Sequence, residues 1–206
     1  EIWYTVIILE EISRVNPTGF AAAMASHFYL SLMYINSNAN ENQKQKYLVP
    51  GIKGDLIGSI AFSEPFIGFD SSNVKTTAIK NGENYIINGS KNFIANSTNS
   101  DYILVPVKTD LNSKSEKIKI ILVERDRAGL KFVKPSKLGS HASGMTEISF
   151  ENVKVPLENL LGDQGKEFDL IGHSICESLS IATISLGTSQ FGLEKILKYL
   201  KAREVF

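Results

Sequence analysis

The alternation of apolar and polar positions divides the chain into a helical beginning, a strand-rich middle and a helical end. Ile2, Val6, Leu9, Ile12 and Val15 recur at helical spacing with Glu10, Glu11 and Arg14 between them, and Asn16 and Pro17 end the run. A second helical run extends from about Gly19 to Ile35. Its first turns are built from Ala21, Ala22, Ala23 and Ala25, small enough to let a neighbouring helix approach closely. The polar break 36–40 supplies an N-cap for a third helix, Glu41 to Leu48, which Pro50 should stop.

The pattern then shortens. A small apolar strand, Ile57 to Phe62, runs into Ser63, Glu64 and Pro65 and a loop carrying Gly68 and Asp70, where a missing backbone donor and a permissive glycine should end regular pairing. Asn81 and Gly82 stand between VKTTAI and NYIIN, the signature of a two-residue type I′ hairpin turn, and Asn88–Gly89 repeats that chemistry before the apolar run Phe93 to Ala95. Strands are predicted at Tyr102 to Val107, Lys117 to Val123, Leu130 to Val133 and Glu147 to Val155, with a polar tip at 110–116. Lys117 and Lys119 read as a solvated face. Pro156 closes the sheet region, 162–165 reads as a hinge, and from Phe168 the pattern is helical again, interrupted by Gly187 and Gly192. Helices, then antiparallel strands, then helices predict an α+β fold in separate layers rather than alternating βαβ units. The expected boundaries are 1–54 for the first helical part, 55–160 for the β domain and 161–206 for the start of a helical bundle.

Turns of the Asn-Gly type occur in any antiparallel domain and by themselves say nothing of function. The loop after Phe62 nevertheless brings hydroxyls and backbone N–H groups close in sequence to the aromatic Phe93, which makes a possible ligand wall. Composition narrows the field by exclusion. Twenty-two basic and twenty-two acidic side chains cancel, so the charge footprint of a nucleic-acid binder is missing. No segment reaches the roughly 18 uninterrupted apolar residues of a membrane span. The single cysteine, Cys176, excludes an internal disulfide and a cysteine-based zinc site and points to a reducing compartment, taken as cytoplasmic. His27 has no second ligand at metal-binding spacing and reads as a satisfied helix histidine. No G-x-G-x-x-G follows a strand, no P-loop is present and no Ser, His, Asp set stands out. Glu1, inside an apolar run where a Met would open a chain, suggests that the sequence begins part-way through a longer protein.

Six motifs in order carry a resemblance that the exclusions do not. LEEISRVNP, ENQKQKYLVPGIKGD, AFSEPFIGFD, NYIINGSKNFIANS, KLGSHASGMTEISFENVKVPLENLLG and SLGTSQFGLEKILKYLKAREVF together cover essentially all 206 residues. In that order they resemble the acyl-CoA dehydrogenase family of flavoproteins. The resemblance implies the end of an N-terminal helical domain, a whole middle β domain and the start of a C-terminal helical domain. It implies FAD as cofactor and an acyl-CoA thioester as substrate, a carboxylate removing the α proton while the β hydride passes to flavin N5. An electron-transferring flavoprotein as acceptor and a homodimer or homotetramer are implied with it.

By the same resemblance, Phe62 and Ser63 lie along the flavin, as does Phe69, and Phe93 packs on the ring with Ile94 and Ala95 beside it. Thr109 matches a position that contacts CoA. Arg203 matches an arginine that reaches the FAD pyrophosphate of a neighbouring subunit; without the family it reads as a helix-end surface cation. Glu177, aligned through Leu186 and Gly187, falls where a minority of the family places its catalytic base, although a lone Glu on a helix is usually solvated. Ser178, beside it, stands where an arginine is common and is taken as substrate-binding. The departures from the family pattern are Phe69 inside the G-S-D loop, Ala95 in place of a hydroxyl residue, Ser178, and His141 and Met145 around Ser143. Two other readings stay open: a flavin oxidase or monooxygenase of the same fold acting on a non-CoA substrate, and a non-catalytic scaffold. Residues 1–206 alone are expected to be poorly active.

Overall fold

The computed structural model describes residues 2–17, 19–65, 74–109, 118–162 and 170–205, with the backbone alone for 170–174. The expected tip at 110–116, Lys117, Gly68, Phe69, Asp70 and residues 163–169 lie outside the described residues.

Helix α1 is Ile2–Val15. Of its predicted apolar face, only Leu9 is fully buried and Ile12 packs beside it, while Ile2 and Val15 are exposed. Helix α2, residues 20–38, begins α-helical at Phe20–Met24, widens to π-helical winding over Ala25–Leu32 and returns to α-helix at Met33–Asn38. Helix α3, residues 41–53, starts with a reciprocal capping box: Gln43 N–H donates to Asn40 Oδ1 at 2.9 Å and Asn40 N–H to Gln43 Oε1 at 3.0 Å. Pro50 does not stop this helix. Lys44–Leu48 is π-helical, and the helix continues through Val49–Lys53 with Pro50 in the first turn of that last α-helical segment, where proline is tolerated.

Eight strands form one twisted sheet in the order β6-β7-β3-β2-β4-β5-β8, with β1 added alongside β4. They are β1 Gly58–Ile60, β2 Thr77–Asn81, β3 Asn84–Ile94, β4 Tyr102–Lys108, β5 Ile118–Glu124, β6 Leu130–Val133, β7 Thr146–Pro156 and β8 Leu160–Leu161. Pairing is antiparallel except for β1 with β4 and β2 with β4.

The first hairpin turns one residue later than its sequence suggests. Asn81 pairs with Asn84, so the loop is Gly82–Glu83, and only Gly82 has positive φ (+60°), as a type II′ turn requires. Asn88–Gly89 is not a turn at all. It lies inside β3 at a register shift against β7, with Gly89 at φ +148°; a Cβ there would sit 2.6 Å from Thr76 Oγ1, so the close approach of β2 demands glycine.

β4 and β5 are buried on both faces. Ile103, Val105, Val107, Ile121 and Val123 enter one core with Phe150 and Val153, while Leu104, Ile120 and Leu122 enter a second core roofed by Ile35 of α2 and Tyr47 of α3. Each fully buried aliphatic side chain contributes roughly 1.5–3 kcal/mol of transfer free energy, so β4 and β5 anchor both layers. Lys119 therefore is not on a solvated face: it is 7% exposed, because a strand between β4 and β8 with cover on both sides leaves no wet side.

Helix α4, Leu170–Ala202, passes through Gly187 and Gly192 without a break. Gly187 is a contact glycine. A Cβ on it would lie 2.3 Å from Glu10 O and 2.9 Å from Ser13 Cβ, so α1 and α4 meet backbone to backbone.

Candidate active site

Where α2, β1, the end of β3 and α4 converge they leave an apolar cleft of about 200 Å³. Its floor and one wall come from the chain after β1 and the end of β3: Ile60, Phe62, Ser63 and residues 93–95. Ala25, Ser26 and Leu30 of α2 close a second side, Met145 a third, and α4 supplies Glu177, Ser180, Ile181 and Ile184. The α4 residues recur at i, i+3, i+4 and i+7, one stripe of the helix.

Local backbone chemistry holds these segments in register. Ala95 C=O accepts from Ser59 Oγ at 2.7 Å and Ser26 Oγ at 3.2 Å, tying β3 to β1 and α2. Asn92 N–H donates to Ser63 C=O at 2.8 Å, joining the two strips that floor the cleft. Beyond β3, Asn96 N–H donates to Ser143 C=O at 2.7 Å and Thr146 N–H to Ser97 Oγ at 2.9 Å, which fixes Met145 at the rim. His27, one residue after Ser26, accepts from Gly58 N–H through Nδ1 at 2.9 Å and faces Gly51 C=O through Nε2 at 3.2 Å. A carbonyl only accepts, so the ring is the neutral Nε2–H tautomer, and burial holds its pKa below 6.5. It is a satisfied histidine that pins α2 to β1.

Phe93 is the unusual side chain. It has φ +57°, a conformation costly for a bulky residue, at a register shift between Lys91 and Ile94, and it is 61% exposed where it borders the cleft. Ile94 turns inward and is 2% exposed in the sheet core. An exposed aromatic face held in strained backbone beside an apolar hollow fits a flat heteroaromatic ring.

Glu177 borders the same cleft, half-buried, and burial raises its carboxyl above the usual 4.5. The structure thus brings together Phe62, Ser63, Phe93, Ile94, Ala95 and Glu177. Ser178 is exposed and does not line the cleft, since one step along a helix turns the side chain by about 100°. Thr109 lies half-buried just past β4, outside the cleft lining. Arg203 is exposed at the end of α4, its guanidinium 5.8 Å from the Tyr199 ring centre.

Four cleft-related residues escape sequence reading: Ser26, Ser180, Glu64 and Lys91. Ser180 was findable, three residues after Glu177 on one helix face. Nothing in the sequence pairs Glu64 with Lys91, yet they form a buried ion pair at 2.8 Å with side chains 4% and 0% exposed. Glu64 also accepts from Lys75 N–H (2.7 Å) and Thr76 N–H (3.0 Å). Desolvation works against the Glu64 carboxylate, but the Lys91 charge and these donors outweigh it and hold its pKa down. Lys91 has Glu64 alone to offset deeper burial, and its pKa falls to about 8. Among the described residues no cluster of His, Cys, Asp and Glu could hold a metal, and no helix is long and apolar enough to cross a membrane.

Helices over a largely antiparallel sheet, with a single acid and a presented aromatic face at their junction, define a class that the comparisons identify. The descriptions "Acyl-CoA dehydrogenase, N-terminal domain" and "Acyl-CoA dehydrogenase, middle domain" match residues 1–55 and 59–153. The chain belongs to the acyl-CoA dehydrogenase family. It is 36% identical over 203 residues to a short-chain specific acyl-CoA dehydrogenase of Clostridium acetobutylicum, covering 98% of this chain and 53% of the relative. It is 37% identical over 205 residues to the mitochondrial isovaleryl-CoA dehydrogenase of Pongo abelii, covering 98% and 48%. The crystal structure of an acyl-CoA dehydrogenase from Geobacillus kaustophilus superposes with a TM-score of 0.87 at 36% identity, covering 98% of this chain and 54% of that one. The chain spans about half the length of the relatives it matches.

Proposed function

We propose that this chain is the helical-entry, middle-domain and first-helix portion of a FAD-dependent acyl-CoA dehydrogenase, and that Glu177 is its base. The observation that carries the reading is the placement of one desolvated carboxylate, Glu177, on the same cleft as Phe62, Ser63 and Phe93. Family membership supplies the reaction class, and the cleft supplies a place for its two chemical requirements, a proton acceptor and an aromatic wall.

In this reading, the Phe93 face and the backbone of residues 62–63 and 94–95 hold the flavin ring, with FAD supplying the hydride acceptor. Glu177 takes the α proton of the thioester. Burial raises its pKa and so makes it a stronger base than a solvated carboxylate, while Ile60, Leu30, Ile181 and Ile184 keep water from competing for it. Thr109 contacts CoA, Arg203 reaches the FAD pyrophosphate of a neighbouring subunit, and Phe69 lies by the cofactor; these roles rest on the resemblance alone. A homodimer or homotetramer and an electron-transferring flavoprotein as acceptor belong to the same proposal. So do the domain boundaries near 54 and 160. Ser178, exposed beside Glu177, is placed to meet substrate outside the cleft rather than within it.

The test is an absorption spectrum of the full-length protein before and after anaerobic addition of a short and a long acyl-CoA. A flavin band that bleaches is expected. Absence of any flavin, or no bleaching by any CoA thioester, overturns the reading. Ala95, which puts no side-chain hydroxyl at the ring, favours one second reading, an oxidase or monooxygenase acting on a non-CoA substrate; rapid reaction of the reduced flavin with oxygen is its signature.

A further inference from the structure

The buried pair Glu64–Lys91 lies outside the proposed chemistry, but it is built into both strips that floor the cleft. Glu64 directly follows Phe62 and Ser63. Lys91 stands two residues before Phe93, at the point where β3 slips against β7. The pair spans 2.8 Å, and the Glu64 carboxylate also accepts from the N–H groups of Lys75 and Thr76 at the entry to β2. One peptide bond further on, Asn92 N–H donates to Ser63 C=O at 2.8 Å. Three chain segments, 62–65, 75–76 and 90–93, are therefore cross-braced by a single carboxylate.

Nothing about a sheet core calls for an ion pair. Two charges taken out of water carry a large desolvation cost, and apolar residues of similar volume commonly serve stability as well or better. A strained, exposed aromatic at φ +57° has the opposite need: it persists only where its surroundings over-determine the backbone. Apolar packing restrains position softly; a carboxylate with three directional donors restrains it in angle and distance.

We infer that Glu64 and Lys91 are positioning residues, which lock residues 62–63 and 92–95 in the geometry that presents Ser63 and the Phe93 face to the cofactor. This rests on the flavin reading of the cleft for its last clause, while the locking itself does not. The pair touches no reacting atom and acts through Phe93 and Ser63.

The test compares the full-length protein with Lys91→Met and with the double variant Glu64→Gln/Lys91→Met. Lys91→Met strands a carboxylate in the core and is expected to lower Tm; the double variant removes that charge and should regain most of the loss. A purely structural pair predicts that the double variant then behaves as the parent. A positioning pair predicts that amide exchange in the peptide spanning residues 90–96 is still at least about tenfold faster, and that FAD affinity is weakened by about tenfold or more. Unchanged exchange in the double variant overturns the inference. Faster exchange with unchanged FAD affinity overturns the cofactor half of it. A parent protein that takes up no FAD overturns the flavin reading instead, and the exchange measurement still decides whether the pair locks the strip.

Discussion

Glu177, half-buried on the cleft, and His27, buried beside Ser26, are both titratable groups, and their environments separate them. Glu177 is desolvated, which favours its protonated form and strengthens its conjugate base; His27 is saturated by Gly58 N–H and Gly51 C=O and has nothing left to offer a ligand. Glu177→Gln in the full-length enzyme is expected to lose about a thousandfold in kcat/KM while keeping the flavin spectrum. The parent kcat/KM should rise with pH through a midpoint above 4.5, measured by steady-state assay. For His27 the sign runs with the lowered pKa. The unfolded chain takes up a proton near 6.5 and the folded chain resists it, so stability is full above 6.5 and falls as pH drops below it. Urea unfolding at stepped pH should show that slope in the parent and not in His27→Gln. Lys91→Met, which leaves a buried carboxylate without its cation, should cost about 3 kcal/mol in the same measurement.

Among the elements, α4 carries the clearest contrast between its two glycines. Gly187 faces the backbone of α1 with no room for a Cβ, and the obstructing atoms, Glu10 O among them, belong to a helix backbone that cannot step aside. Gly192 meets nothing within 4 Å. Gly187→Ala should therefore destabilise by about 1–3 kcal/mol through forced separation of the helices, against a helix-propensity gain of about 1 kcal/mol at either site. Gly192→Ala should raise Tm by differential scanning calorimetry. Both glycines look alike in the helical pattern. The sheet is similar: strand positions were legible from the apolar runs, but register was not, since Asn81–Gly82 and Asn88–Gly89 present the same dipeptide, and only the approach of Thr76 to Gly89 makes the second a bulge inside a strand.

Across the molecule, Glu124 joins the layers. It accepts from Tyr47 Oη of α3, from Arg127 at 2.8 Å, from Lys46 Nζ at 3.1 Å and from Asn159 Nδ2 at 3.0 Å, and although desolvation opposes its charge, the bonds from Tyr47, Arg127 and Lys46 hold its pKa at about 2. Its contribution to stability is present above 4.5 and is lost as pH falls towards 2, so urea unfolding at stepped pH should show the parent losing stability across that window while Glu124→Gln, less stable at neutral pH, changes little there. The outer faces are less complete. Trp3, Tyr4 and Ile7 of α1 and Leu193, Ile196 and Leu200 of α4 all stand exposed, large apolar side chains on two helices. The 206-residue chain expressed alone should elute from a sizing column well ahead of its 22.7 kDa and should bind a hydrophobic dye, and a monomeric, dye-free profile would refute this.

By itself the sequence determined the order of helix, sheet and helix, because periodicity is a property of the linear chain, and its motif order carried the family resemblance, which alone implied that Phe62, Ser63, Phe93 and Glu177 share one site. Only the tertiary structure decided that Lys119 is interior, that Pro50 is passed through, that Gly187 is a contact and that Glu64 meets Lys91. Each of these depends on what a second segment does at a distance of a few ångströms. Burial, register and ion pairing are set by that partner, and no local pattern encodes where it comes from.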